Sequence, residues 1–272
     1  MRVQHNMNAL NANRQLGINV TNQGKVTEKL SSGYRINRAG DDAAGLAISE
    51  KMRSQIRGLQ MASKNAQDGV SLIQTAEGAL NETQSILQRM NELATQCSND
   101  TYLSTDRSLA QAEISQLIEE IDRIATVTEF NDMKLLNGDC AGGKNLQVGA
   151  KSGQLISFTI TSMKAADIGI GTDASVEDFD KAQALMAASQ TAINNVSTQR
   201  ANLGAIQNRL EHTIASVDTT AENLTASESR IRDTDMAAEM VTYSKNNILQ
   251  QAAQSMLASA NQSTAGVLSL LQ

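Results

Sequence analysis

The chain of 272 residues contains no proline, although ordinary usage of about 5% would supply roughly a dozen. Proline breaks helix interiors, because it lacks a backbone N–H and its ring clashes with the preceding turn. Its complete absence therefore predicts long, uninterrupted helices. With only three Phe, three Tyr and no Trp, the apolar residues are mostly small or aliphatic. They suit a thin seam between two to four helices better than the centre of a globule.

Two series of apolar residues recur at every seventh position, the spacing of a coiled-coil seam. The first lies within residues 44–99 and the second near the other end of the chain. Between them, we expect a shorter amphipathic helix and, at about 138–165, a small β-hairpin with alternating apolar residues. The predicted fold is mainly α: a long antiparallel coiled-coil helical rod with one small β-hairpin region. The two series are Met52, Leu59, Ala66, Ile73, Leu80, Leu87 and Ala94, and Val196, Leu203, Leu210, Val217, Leu224 and Ile231.

The two ends of the chain carry weaker apolar stripes among many polar residues. Two such thin helices bury too little apolar area to offset backbone ordering, which costs about 1 to 2 kcal/mol per residue. The paired ends should therefore need neighbouring molecules. We predict a terminal helical assembly domain, 1–43 plus 233–272, and a coiled-coil rod domain, 44–232, with both chain breaks at the same level. The predicted terminal seam is Val3, Met7, Leu10, Leu249, Ala253, Met256, Ala260, Val267 and Leu270.

Composition argues against several classes of partner. The net charge is −6 with both signs interspersed, so no basic stripe is available for nucleic acid. No apolar run approaches the roughly 20 residues that span a bilayer, and residues 1–15 lack the apolar centre of a secretory signal. Cys97 and Cys140 are too few for a disulfide framework, so we expect two free thiols without a catalytic role.

The sequence offers no convincing catalytic, cofactor or metal site. Segment 138–145 has the spacing of a phosphate loop, but Asn145 replaces the magnesium-binding Ser or Thr and a strand pattern follows where a helix is required. His5 and His212 have no acidic or cysteine partner at ligand spacing. The Asp pairs at 41–42 and 233–235 stand where helices begin, so they are interpreted as caps. We therefore predict no enzyme activity, no cofactor and no bound metal.

Several motifs of the chain resemble those of the bacterial flagellins. The longest is the segment from Lys29 to Ile48, KLSSGYRINRAGDDAAGLAI, which is similar to the family's signature. Further resemblances are NMNAL at 6–10, NAQDG at 65–69, TAEGAL at 75–80, EFN at 129–131, RIRDTDMA at 230–237 and the tail from Ala258 to Leu271. Only a stretch from about 138 to 175 separates the helical halves, so the chain looks like a minimal flagellin without the variable outer domains.

The resemblance implies a structural subunit that polymerises into the flagellar filament, a passive propeller located outside the cell. It also implies partners: other copies of the chain, the flagellar export apparatus with its chaperone, and the filament cap and hook-junction proteins. A hook–filament junction protein of the same superfamily is the alternative. The family's patch for a host Toll-like receptor corresponds to Gln88, Arg89, Glu92, Leu93, Gln96 and Glu113. Without the resemblance, Arg89, Glu92 and Glu113 would be ordinary solvated charges and Leu93 an edge of the helical seam.

Overall fold

The computed structural model of the chain describes residues 6–171 and 174–269. This part of the chain forms six helices and four short strands, and the predicted fold class, mainly helical with a small antiparallel hairpin, is confirmed. The elements in chain order are α1 (Met7–Ser32), α2 (Ala43–Cys97), α3 (Ser104–Val127), β1 (Glu129–Phe130), β2 (Met133–Lys134), β3 (Lys144–Gln147), β4 (Leu155–Phe158), α4 (Ala165–Ile168), α5 (Phe179–Arg232) and α6 (Met236–Ser269).

The chain divides into two compact units, and the long helices α2 and α5 contribute residues to both. The terminal unit comprises the residues up to 54 and those from 222 onward, and the central unit comprises residues 55–221. The predicted domain boundaries at 43/44 and 232/233 coincide with the breaks between helices rather than with the edges of the compact units. Their assignment as assembly and rod domains stays a prediction.

The core of the central unit follows the predicted heptads. The side chains of the first series from Ala66 to Ala94 are buried, as are the first four members of the second, from Val196 to Val217. The two helices run antiparallel, because Thr95 near the end of α2 donates to Met186 near the start of α5, at 3.4 Å, whereas Glu77 lies 3.7 Å from Arg200. Aliphatic seam residues thus form one continuous core, as periodicity predicts.

Two hairpins follow the third helix, which packs Ile114 and Ile121 into the same core. The predicted hairpin is β3–β4, an antiparallel pair. A second hairpin, β1–β2, was not predicted. Its two-residue turn has Asn131 and Asp132 at φ values of 50° and 61°, the left-handed conformation that joins strands of the usual twist. Asn and Asp tolerate that conformation better than most side chains.

Carboxamide side chains fasten the non-helical segment of the central unit to the surrounding helices. Gln111 of α3 acts at both ends of its amide: its nitrogen donates to the Ala174 carbonyl at 2.9 Å and its oxygen accepts from the Val176 amide at 2.8 Å. Asn65 of α2 and Gln199 of α5 each donate to a backbone carbonyl of this segment. These side chains satisfy backbone groups that have no partner in a helix or sheet.

Candidate assembly surface

The first and last helices of the terminal unit pair antiparallel. At one end, the Asn6 side-chain amide donates to the Ala260 carbonyl at 2.9 Å. At the other end, the Lys29 ammonium lies 3.9 Å from the Glu239 carboxylate. A hydrogen bond from one helix to the backbone of the other requires close approach, which the small alanine side chains along the pair allow. The predicted partnership of the two ends is therefore present within one chain.

The seam between α1 and α6 is narrow and partly polar. Its buried and half-buried positions alternate spacings of three and four on both helices, as in a coiled coil. Polar side chains occupy several of these positions, and Asn246 is buried. The seam is thus a weak source of hydrophobic stabilisation. Its members are Ala9, Ala12, Leu16, Asn19, Gln23, Val26 and Leu30 on α1, and Glu239, Tyr243, Asn246, Gln250, Ala253, Leu257 and Ala260 on α6.

Many large apolar side chains of the same two helices lie outside this seam and are exposed. Met7 is 68% exposed and Leu10 62%, while Val241 on α6 reaches 70%. We call this set the exposed apolar rows of α1 and α6. Exposed apolar groups at this density mark surfaces that another molecule covers. The rows comprise Met7, Leu10, Ile18 and Val20 on α1, and Met236, Met240, Val241, Ile248, Leu249 and Met256 on α6.

The predicted terminal assembly seam stays a prediction, but the structure places its members: Ala253 and Ala260 lie in the intrachain seam, whereas the larger members that the structure describes are exposed. On α6 the inward positions are Gln250 and Leu257, one residue beyond Leu249 and Met256, which are 41% and 64% exposed. The stripe that faces α1 and the exposed stripe beside it share the alanines, so periodicity could not tell which of the two faces inward. Met7 and Leu10 likewise lie outside the intrachain seam. Val3 and Leu270 lie outside the described residues, and so does the side chain of Val267.

The breaks before α2 and before α6 meet, as predicted. The Arg35 amide donates to the Arg232 carbonyl at 2.7 Å, and the Thr234 amide donates to the Gly33 carbonyl at 3.0 Å. Tyr34 and Asp233 thereby form an antiparallel bridge. We call this the joint of the terminal unit. It fixes the two chain breaks at one level through backbone groups that the ends of helices leave unpaired.

Cationic side chains surround the tyrosine ring at the joint. The guanidinium of Arg232 lies 4.9 Å from the Tyr34 ring centroid and that of Arg53 lies at 5.9 Å. Arg53 also pairs with Glu228 at 2.9 Å. Cation–π contacts of this geometry stabilise by about 0.5 to 1 kcal/mol at exposed sites. The cluster was not predicted, because its members stand far apart in sequence.

One aspartate of each predicted pair caps a helix at these breaks, and the Asp233 carboxylate instead accepts from the Ser229 hydroxyl at 2.6 Å. Asp42 accepts from the Gly45 amide at 2.9 Å in the first turn of α2, and Asp235 accepts from the first amides of α6. Asp41 instead closes the preceding turn by accepting from the Arg38 amide at 3.1 Å and from the amide before it. These backbone hydrogen bonds hold the pKa of Asp41 below its ordinary value.

The predicted receptor patch is only partly a surface. Arg89 pairs with Glu113 at 2.9 Å and with Glu92 at 3.3 Å, so its pKa is raised by these two carboxylates. Gln96 donates to the Tyr102 hydroxyl. Leu93, however, is 3% exposed and belongs to the core of the central unit. The resemblance to flagellins placed it in the patch, whereas in the single chain the core covers it.

The remaining predictions concern reactive groups and membrane crossing. Cys97 and Cys140 are free and buried, and burial raises the pKa of both thiols. Across residues 6–171 and 174–269, no group of three or more His, Cys, Asp or Glu side chains could hold a metal ion. Within the same ranges, no helix combines the length and apolar character needed to cross a bilayer.

The chain is mainly helical, pairs its terminal helices and exposes apolar rows on them. These features define a class of structural proteins. Comparison with known proteins gives the family. Models of the bacterial flagellin N-terminal and C-terminal helical regions match residues 3–141 and 186–271. The chain belongs to the bacterial flagellin family.

Relatives match along their whole length. The flagellin of Halalkalibacterium halodurans is 55% identical over 273 residues, covering all of both chains. The flagellar filament 33 kDa core protein of Treponema phagedenis is 50% identical over 286 residues, again covering both completely. The crystal structure of Bacillus cereus flagellin superposes with a TM-score of 0.51 at 31% identity, covering 61% of this chain and 94% of that one.

Proposed function

We propose that this chain polymerises into the bacterial flagellar filament and that the exposed apolar rows of α1 and α6 are the surfaces on which copies of the chain pack. The observation that carries this proposal is the exposure of the rows, with Met7, Leu10, Val241 and Ile248 each more than 60% exposed. The flagellar filament core protein among its relatives supports the same assembly. The subunit would then act in a filament outside the cell.

Another copy of the chain would cover the exposed apolar rows, because each chain carries two such rows, one on α1 and one on α6, that can pack against those of its neighbours. The seam of the terminal pair is thin and polar, so the pair gains little stability from its own contacts. Burying the rows against neighbouring copies would supply the missing apolar area. A contact between different faces of identical chains does not close on itself, so it continues into a helical polymer. A passive polymer of this kind needs no catalytic site.

Family membership supports proposing three kinds of further partner. The export apparatus with its chaperone would carry the subunit out of the cell, and the filament cap and hook-junction proteins would contact the ends of the polymer. A host Toll-like receptor would recognise the exposed part of the predicted patch, Gln88, Arg89, Glu92, Gln96 and Glu113, without the buried Leu93. The intact ion pairs of Arg89 present a defined charge pattern there.

A hook–filament junction protein remains the second candidate, because its ends would resemble those of flagellin. Full-length identity of 50 to 55% to a filament core protein and to a flagellin favours the filament subunit. Electron microscopy of the concentrated protein separates the two. A filament subunit forms long tubes by itself, whereas a junction protein forms only short oligomers.

Light proteolysis tests the role of the ends. In a dilute solution of the free subunit, protease should trim α1 and α6 first, and in the assembled polymer these helices should resist cleavage, because neighbours supply their apolar contacts. The matched measurement is cleavage within the central unit, which should be equally slow in both samples. Equal resistance of α1 and α6 in the dilute subunit would overturn the proposal that neighbours stabilise them.

A further inference from the structure

Methionines make up much of the exposed apolar rows. Met7 is 68% exposed, Met256 64%, Met240 51% and Met236 47%. Met90 and Met163 in the central unit are 0% and 4% exposed. Methionine is the apolar residue whose side chain a peroxide can oxidise, and exposure decides how fast it reacts. The terminal helices therefore present oxidisable sulfur where apolar contact is needed.

Met256 lies in a setting that would hold an oxidised side chain. It lines an open cleft of about 560 Å³ between α1 and α6. The side chains of Asn8, Asn11 and Gln15 line the same cleft, and each carboxamide carries two N–H donors. A sulfoxide oxygen is a hydrogen-bond acceptor, and carboxamide donors line the cleft in which it would form. The thioether itself makes little use of them, since sulfur is a weak acceptor.

We propose that Met7, Met236, Met240 and Met256 are an oxidant-sensitive modification site that controls whether the subunit can assemble. A hydroperoxide such as hydrogen peroxide is the oxidant. An S–O bond forms as the peroxide O–O bond breaks; the sulfur loses two electrons, and the second peroxide oxygen leaves as water. The product is a polar sulfoxide in each position.

The effect on assembly rests on the proposed function, in which other copies cover the rows. A thioether enters an apolar contact at little cost, whereas a sulfoxide must give up its hydrogen bonds to water. Four such groups on the surfaces that meet would disfavour polymerisation while leaving the core of the central unit untouched. Enzymatic reduction of the sulfoxides with a dithiol should restore it.

The chain's thiols do not compete for the oxidant in the folded subunit. Cys97 and Cys140 are 1% and 0% exposed. Peroxides react with the thiolate, and burial of each thiol keeps the thiolate scarce. Oxidation of the folded subunit should therefore be confined to exposed methionines.

The experiment treats the free full-length subunit with hydrogen peroxide and removes the excess with catalase. Peptide mass spectrometry then measures sulfoxide at every methionine, and sedimentation measures the critical concentration for polymerisation. The four proposed methionines should oxidise at least roughly tenfold faster than Met90 and Met163, as their exposure implies. The critical concentration of the wild-type subunit should rise, and treatment with methionine sulfoxide reductases and dithiothreitol should lower it again.

Two variants make the result specific. In the variant with all four methionines changed to Leu, whatever its own critical concentration, peroxide should cause no further rise. In Met61→Leu, which removes a 57% exposed methionine of the central unit, the rise should equal that of the wild type. A fourfold variant as sensitive as the wild type, or a fully oxidised wild type that assembles normally, would overturn the proposal. An untreated wild type that never polymerises would instead refute the proposed function, and the oxidation map would still test the site.

Discussion

Leu10→Ala should weaken polymerisation without destabilising the subunit. Leu10 lies in the exposed apolar row of α1 and is 62% exposed in the single chain. Complete burial of a leucine side chain is worth about 1.5 to 3 kcal/mol. A neighbouring copy that covers the exposed three-fifths therefore gains about 1 to 2 kcal/mol from this side chain. Since 1.4 kcal/mol is a factor of ten, the critical concentration should rise roughly 5- to 25-fold.

The free subunit should be nearly indifferent to the same change. Alanine has the highest helix propensity, so α1 loses nothing intrinsically. The side chain makes few contacts within its own chain, and substitutions at such positions usually change stability by less than about 0.5 kcal/mol. Thermal unfolding of the dilute subunit, followed by circular dichroism, measures this directly.

The matched control is Leu155→Ala, which truncates a 48% exposed leucine at the start of β4, outside the terminal helices. Its critical concentration should stay close to the wild-type value. The assay is sedimentation of polymer from a concentration series of each variant. If Leu10→Ala and Leu155→Ala shift the critical concentration equally, or if Leu10→Ala leaves it unchanged, the exposed row of α1 is not an assembly surface.

Further measurements test the core of the central unit, the turn before α2 and the thiols. Leu87→Ala, at a fully buried position, should lower the free energy of unfolding by about 3 to 5 kcal/mol; a loss below about 1 kcal/mol in chemical denaturation would contradict the assigned seam. Because the pKa of Asp41 is lowered by backbone amides, its contribution to the turn before α2 is present above the ordinary carboxyl pKa and is lost as pH falls through the lowered value. The protection factor of the Arg38 amide, taken relative to the intrinsic exchange rate at each pH, should therefore fall on acidification in the wild type, and Asp41→Asn should lack this step. Cys97 and Cys140 should not react with Ellman's reagent until guanidinium unfolds the chain; rapid reaction of the native subunit would show that they are accessible.

Periodicity predicted the core of the central unit well because the residues of its seam are large and apolar, whereas the other faces of the same helices are polar. A leucine such as Leu80 or Leu87 at every seventh position leaves one choice of inward face. In α6 the choice was ambiguous, since Ala253 and Ala260 serve either stripe. The larger side chains of one stripe suggested the face that packs on α1, but polar Gln250 is half-buried in the seam and Met256 beside it is 64% exposed. Apolar residues do not mark the intrachain seam where a second apolar face is reserved for neighbours.

Motifs formed by residues close in sequence could be predicted, whereas contacts between residues distant in sequence could not. The caps at Asp42 and Asp235 follow from their place before a helix. The β1–β2 hairpin left a signal in Asn131 followed by Asp132, two residues that accept left-handed conformations. The stacking of Arg232 on Tyr34 left none, because almost 200 residues separate them. Burial of Leu93 depends on how the helices of the central unit pack around it, which no single heptad reveals.

The antiparallel pairing of α1 and α6 also limits where the protein can be labelled. The bond from Asn6 to Ala260 brings the start of α1 and the later part of α6 to the same end of the pair, so fluorophores attached near Asn6 and near Ala260 would occupy one location. The turn between β3 and β4 is a better attachment point, because residues 151–154 are exposed and Gly153 adopts a positive φ of 86°. A short peptide epitope inserted there would leave the terminal pair unaltered.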